Sequence, residues 1–147
     1  MAMAATASVV AHKVVADNIF PAVAVTTKSI LQMIRSLLKK EKDVVAETLL
    51  KLDIKERVEL IHALLDSIKH RLSSKCIQVA KRHLQDSLNE VEVVLKKITS
   101  IVDQKGWIWN SDPGVLLSLL REKSKIMAGR FTRLVTLLAI PRNAMNS

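Results

Sequence analysis

Between Cys76 and Val102 the chain repeats apolar residues at steps of three and four: Ile77, Ala80, Leu84, Leu88, Val91, Leu95, Ile98 and Val102. That spacing places all eight on one seam of a continuous α-helix. Lys81, Arg82, Gln85, Asp86, Glu90, Lys96 and Lys97 fall between them. The resulting helix has one dry side and is roughly 39 Å long at 1.5 Å per residue. A lone helix of this kind does not hold its shape in water without partners, so the seam demands a bundle.

The rest of the chain supplies helices to cover it. Aromatics are few, Phe20, Phe131, Trp107 and Trp109, so Val, Leu, Ile and Ala must carry the core. With only three Gly and three Pro there is little turn chemistry for an all-β domain. At 147 residues the chain has the length of one domain that buries its apolar surface without disulfides or metals. The fold class expected is all-α: one domain over residues 1–147, an antiparallel bundle of four main helices with one or two short ones.

Residues Ala5 to Phe20 carry Val9, Val10, Val14, Val15 and Ile19 at helical spacing, which predicts a short amphipathic helix. Pro21 suits a first helical position. Val23, Thr27, Ile30, Ile34 and Leu37 then continue at threes and fours up to the charged run Lys39, Lys40, Glu41, Lys42, Asp43. Basic residues in a last turn are favoured by the helix dipole. Val44 to Leu52 reads either as a short helix or as a continuation after a bend. Asp53 with Glu56 three residues on has the pattern of a capping box, predicting a helix from about Ile54 to Leu72. Ser73 and Ser74 are placed to cap the long helix. Pro113 follows a turn and opens a last helix with Leu116, Leu120, Met127, Phe131, Leu134 and Leu138 on one face. Its charged middle, Arg121 to Lys125, followed by Gly129, is read as a kink or an exposed stretch. Its end, Leu134 to Ile140, is apolar nearly all round, which implies burial on several sides or an interface.

Chemistry for catalysis is thin. His12, His62, His70 and His83 are scattered with no ligand spacing around them, and no Gly-rich phosphate loop, nucleophile motif or carboxylate pair stands out. Cys76 opens the long helix beside Lys75, where a thiol pKa can be lowered, but the reading taken is a small hydrophobe near a helix start. The reading is a non-enzyme without cofactor or metal. One cysteine offers no intramolecular disulfide, in keeping with a reducing, cytoplasmic setting. Met1 to Val10 lacks the basic start of a signal peptide. Apolar runs are broken by charge within a dozen residues, short of a transmembrane span.

The formal charge of +9 bears on partners rather than on fold. Three basic clusters are candidates for an anionic surface. The first is Arg35, Lys39, Lys40 and Lys42. The second is Lys69, Arg71, Lys75, Lys81 and Arg82, with His70 and His83 among them. The third is Arg121, Lys123, Lys125, Arg130 and Arg133. Base reading of nucleic acid calls for stacking aromatics, and Tyr is absent, whereas headgroups and acidic proteins need only the charge. Trp107 and Trp109 would face one side of an extended segment, where they either plug the bundle end or meet a partner.

From His83 to Ile140 the layout resembles the N-terminal four-helix bundle of the mixed-lineage kinase domain-like pseudokinase and the related HeLo-type domains. The carrying residues are the long helix HLQDSLNEVEVVLKKITSIV, the lysine of KGW in a short loop, and the helix ending FTRLVTLLAI. The resemblance implies a death-signalling bundle whose basic face meets or permeabilises anionic membrane, normally joined to a kinase-like or other regulatory domain. The Val-rich start and the Asp53 helix depart from the pattern, and no lipid-binding residue is carried over. The functional expectation is a regulatory or signalling module acting by protein–protein contact. Membrane-active bundle and nonspecific nucleic-acid binder are the alternatives, and self-association through the last helix is a further one.

Overall fold

Aliphatic residues at threes and fours build helices wherever the computed structural model describes the chain, at residues 19–40, 44–103 and 113–140. Among the described residues five α-helices follow one another, α1 (Phe20–Lys40), α2 (Val44–Leu52), α3 (Ile54–Ile68), α4 (Lys75–Asp103) and α5 (Gly114–Ala139). No strand occurs among the described residues, so the protein is all-α. The expected helix before Phe20, the Trp107–Trp109 segment and Lys42 lie outside the described residues.

The long helix is the one the periodicity predicts. All eight seam residues of α4 are buried, and Val94, Ser87 and Lys81 widen the stripe. Ser74 caps it, its hydroxyl accepting from the Ile77 N–H at 3.3 Å, while Gln78 Nε2 donates to the Ser73 carbonyl at 3.1 Å. Such a cap satisfies one of the four N–H groups that a helix start leaves without partners.

Packing runs as a ring. α1 contacts α4, α4 contacts α5, α5 contacts α3 and α2, and both of these return to α1, so α1 and α5 stand across the ring from each other. The core threads through it as one cluster that includes Val23, Ile30 and Ile34 of α1, Ile54, Ile61 and Leu65 of α3, and Leu117, Leu120, Met127 and Leu134 of α5. Cross-links give two helix directions. Arg130 reaches His83 and Ser87 while Lys123 reaches Glu90, so α4 and α5 run in opposite senses. Thr26, buried on α1, donates its hydroxyl to Asn89 Oδ1 on α4 at 3.2 Å.

Several local expectations need correction. The capping box at Asp53 does not form. Asp53 adopts a left-handed conformation, φ 56° and ψ 32°, with no side-chain cap bond. A side-chain N-cap normally needs an extended backbone to aim its oxygen at the next N–H groups. Here Asp53 instead turns the chain from α2 into α3 in a single residue, its N–H donating to the Leu50 carbonyl and its carbonyl accepting from the Arg57 N–H. Asp is among the few residue types that tolerate this region.

Helix α3 also stops at Ile68, short of Leu72, because the chain turns there and leaves Leu72 exposed. Pro21 is the second residue of α1 rather than the first, still within the turn whose N–H groups have no helical partner. Pro113 precedes α5, and its carbonyl accepts from the Leu117 N–H at 2.8 Å. The charged middle of α5 lies within an unbroken helix, with Arg121, Glu122 and Lys125 exposed and Ser124 buried. Beyond it, Leu134 is buried while Val135 and Ile140 face outward, so this end is covered on one side only.

A groove between α1 and α3

Along α1, Val23, Thr27, Ile30, Ile34 and Leu37 point into the core. The flank beside them carries Ala24, Lys28, Leu31, Gln32 and Arg35, at steps of four, three, one and three, which aligns them along one edge of the helix. α3 faces this edge with Glu59 and His62. Between the two helices lies an open groove of about 550 Å³ lined by these residues and Thr27. Its floor is small and apolar at Ala24 and Leu31. Lys28, Arg35 and Glu59 stand exposed at its rims. Neither Lys28 nor Arg35 enters an ion pair among the described residues.

One end of the groove is fixed by a cluster of rings and charges. The His62 ring lies 5.2 Å from that of Phe20 at 54°, an edge-tilted arrangement favoured by ring quadrupoles. Lys69 Nζ sits 5.0 Å from the Phe20 centroid and 2.8 Å from Asp66 Oδ1. The hydrogen bond from Lys69 holds the Asp66 carboxyl below the usual carboxylate range, with smaller attraction from the charges of Lys69, His62 and His70. A second groove, about 320 Å³, runs between α4 and α5 past Val93, Lys97 and Leu119, and the Lys123–Glu90 pair at 3.6 Å lies at its edge.

The structure divides the basic clusters instead of assembling them. From the first, Arg35 lines the α1–α3 groove and Lys39 is exposed further along α1, while Lys40 belongs to α1 with a side chain outside the described set. From the second, Arg71, Lys75 and Arg82 are exposed around the α3–α4 turn, and Lys69 is engaged with Phe20 and Asp66. Lys81 is not a surface residue: it is 2% exposed, with Nζ donating to Ser73 Oγ at 3.0 Å. The cause is its register, four after Ile77 and three before Leu84, on the buried seam itself. From the third, Arg121, Lys125 and Arg133 are exposed on α5, whereas Arg130 and Lys123 brace α5 against α4. α1 and α5 are not closely packed against each other, so the basic residues of the first and third clusters are carried by separate helices.

Lys28 belongs to none of the three clusters read from sequence, yet it shares the groove with Arg35. The signal was present as two cations one heptad apart with Leu31 between them. Cys76 is exposed in the first turn of α4. Among the described residues no three His, Cys, Asp or Glu side chains converge, and no helix is long and apolar enough to cross a membrane. No family model, curated protein or solved structure matches this chain.

Proposed function

We propose that this chain is a non-enzymatic regulatory or signalling module, acting in the cytoplasm through protein–protein contact. Its frame is read as an antiparallel bundle of four main helices, α1, α3, α4 and α5, with α2 as the short fifth. The observation that carries the reading is the α1–α3 groove, an apolar floor with charged rims, held open between two packed helices. Apolar grooves with a few oriented polar groups are how helical domains receive a partner segment. Fold alone would not license this, since one bundle serves many roles.

The membrane-active alternative implied by the HeLo-type resemblance calls for basic side chains gathered toward one lipid surface. Lys81 buried, Lys69, Lys123 and Arg130 engaged, and the free cations of α1 and α5 carried by separate helices favour the groove instead.

Two measurements decide between them. Immobilised chain should retain a protein from cytosolic extract in stoichiometric amount and lose it on Leu31→Glu, and free chain should not pellet with anionic vesicles at physiological salt. Vesicle pelleting that persists in Leu31→Glu would replace this reading with the membrane one.

A further inference from the structure

We infer that the partner seated in the α1–α3 groove is an amphipathic helix with carboxylates along one flank, an inference that rests on the interaction-module reading above. The groove is walled by two helices and open along its length. A rod can bury one stripe there, whereas a small ligand would stay wet, unlike the roughly 70–90% enclosure of ordinary ligand pockets. Ala24 is short enough for a second backbone to come close, and Leu31 offers an apolar anchor.

Charge supplies the specificity. Lys28 and Arg35 are exposed on the same rim, seven residues and about 10.5 Å apart along the helix axis. Carboxylates repeating at the same heptad period on an incoming helix meet both at once, as flanking charges do in coiled coils. Glu59 on the facing rim repels acid there. The rims therefore select a helix that is acidic on one flank and neutral or basic on the other. A polyanion such as nucleic acid, or a lipid surface, presents negative charge to both rims and is disfavoured. The α4–α5 groove carries no comparable argument, because with Lys123 paired to Glu90 it offers one exposed lysine, Lys97, and not two cations a heptad apart on one rim.

The test uses the full chain and two designed helical peptides with the same Leu and Ala face, one bearing Glu and the other Lys at heptad positions on one flank. Fluorescence anisotropy should show the Glu peptide binding about tenfold tighter than the Lys peptide, the worth of two exposed charge pairs. Lys28→Glu combined with Arg35→Glu, both at exposed positions, should invert the preference with the helical circular dichroism unchanged.

Equal binding of the two peptides, no binding of either, or a preference unmoved by the charge swap would overturn the acidic partner. If both peptides bind equally and Leu31→Ala or Leu31→Glu weakens both, the acidic partner falls while the interaction module stands. If neither peptide binds and the chain pellets with anionic vesicles, both fall.

Discussion

Arg130 on α5 donates through Nη1 to the His83 carbonyl oxygen and to Ser87 Oγ on α4, each at 2.8 Å. Ser87 is 1% exposed, so removing the guanidinium takes a charged donor from a buried hydroxyl. Hydrogen bonds to a charged donor are stronger than neutral ones, and stranding a buried partner costs about 1–3 kcal/mol. Arg130→Ala should therefore lower the urea midpoint by an amount in that range with the slope unchanged. Arg133→Ala, three residues on at an exposed position, should stay within about 0.5 kcal/mol. Equal effects would mean that Arg130 is not the brace described.

The residue before it predicts the opposite sign. Gly129 is exposed in the interior of α5, and a Cβ at that position would meet no atom within 4 Å. Glycine in a helix interior is about 0.5–1 kcal/mol worse than alanine, chiefly because the unfolded chain has more freedom to lose. Gly129→Ala should raise stability by that amount in the same urea assay. A loss of stability would show that the backbone there needs glycine.

How far the sequence reaches is visible in three lysines. The seam of α4 was legible because a strict three-four rhythm has one physical solution, and every residue it named is buried. Lys81 sits in the same rhythm, yet charge type argued for the surface. Only the closing of α1 and α5 over α4 decides whether such a residue snorkels out or is enclosed beside Ser73. Lys28 was hidden for another reason: sequence clusters count neighbours along the chain, while the groove pairs Lys28 with a residue seven away and with Glu59 from α3. Lys69 is drawn off by Phe20, a contact between residues far apart in the chain. Asp53 likewise fits the capping motif, but the tight link between α2 and α3 claims its backbone first.

Thr99 marks a place where the packing is polar without need. Its Oγ1 is buried and finds no hydrogen-bond partner among the described residues. A hydroxyl in that state costs on the order of 1–3 kcal/mol relative to water. Thr99→Val keeps the branched shape and removes the oxygen, and should raise the thermal midpoint by a few degrees. Thr99→Ser keeps the oxygen and removes the methyl, and should lower it. The same direction for both would assign the effect to volume and not to the hydroxyl.

Asp66 gives a pH-dependent prediction with a fixed sign. Its carboxyl is held below the ordinary value by the hydrogen bond from Lys69, which outweighs an opposing desolvation, with lesser help from the charges of Lys69, His62 and His70. A depressed carboxylate favours the folded state above its unfolded pKa, and that contribution is lost as pH falls through the folded pKa. The Asp66 side chain is exposed, so the effect is screened by salt and small in stability. The titration itself is the sensitive readout. Carboxyl NMR should place Asp66 below the ordinary aspartate value in the wild type, and Lys69→Met should move it upward while the long side chain still covers Phe20. Added salt should move the wild-type value the same way and move Lys69→Met less, since only the His62 and His70 charges remain there to be screened. If Lys69→Met instead leaves Asp66 where it was, the Lys69–Asp66 contact is not what holds the carboxyl down, and the ordered end of the α1–α3 groove rests on the rings of Phe20 and His62 alone.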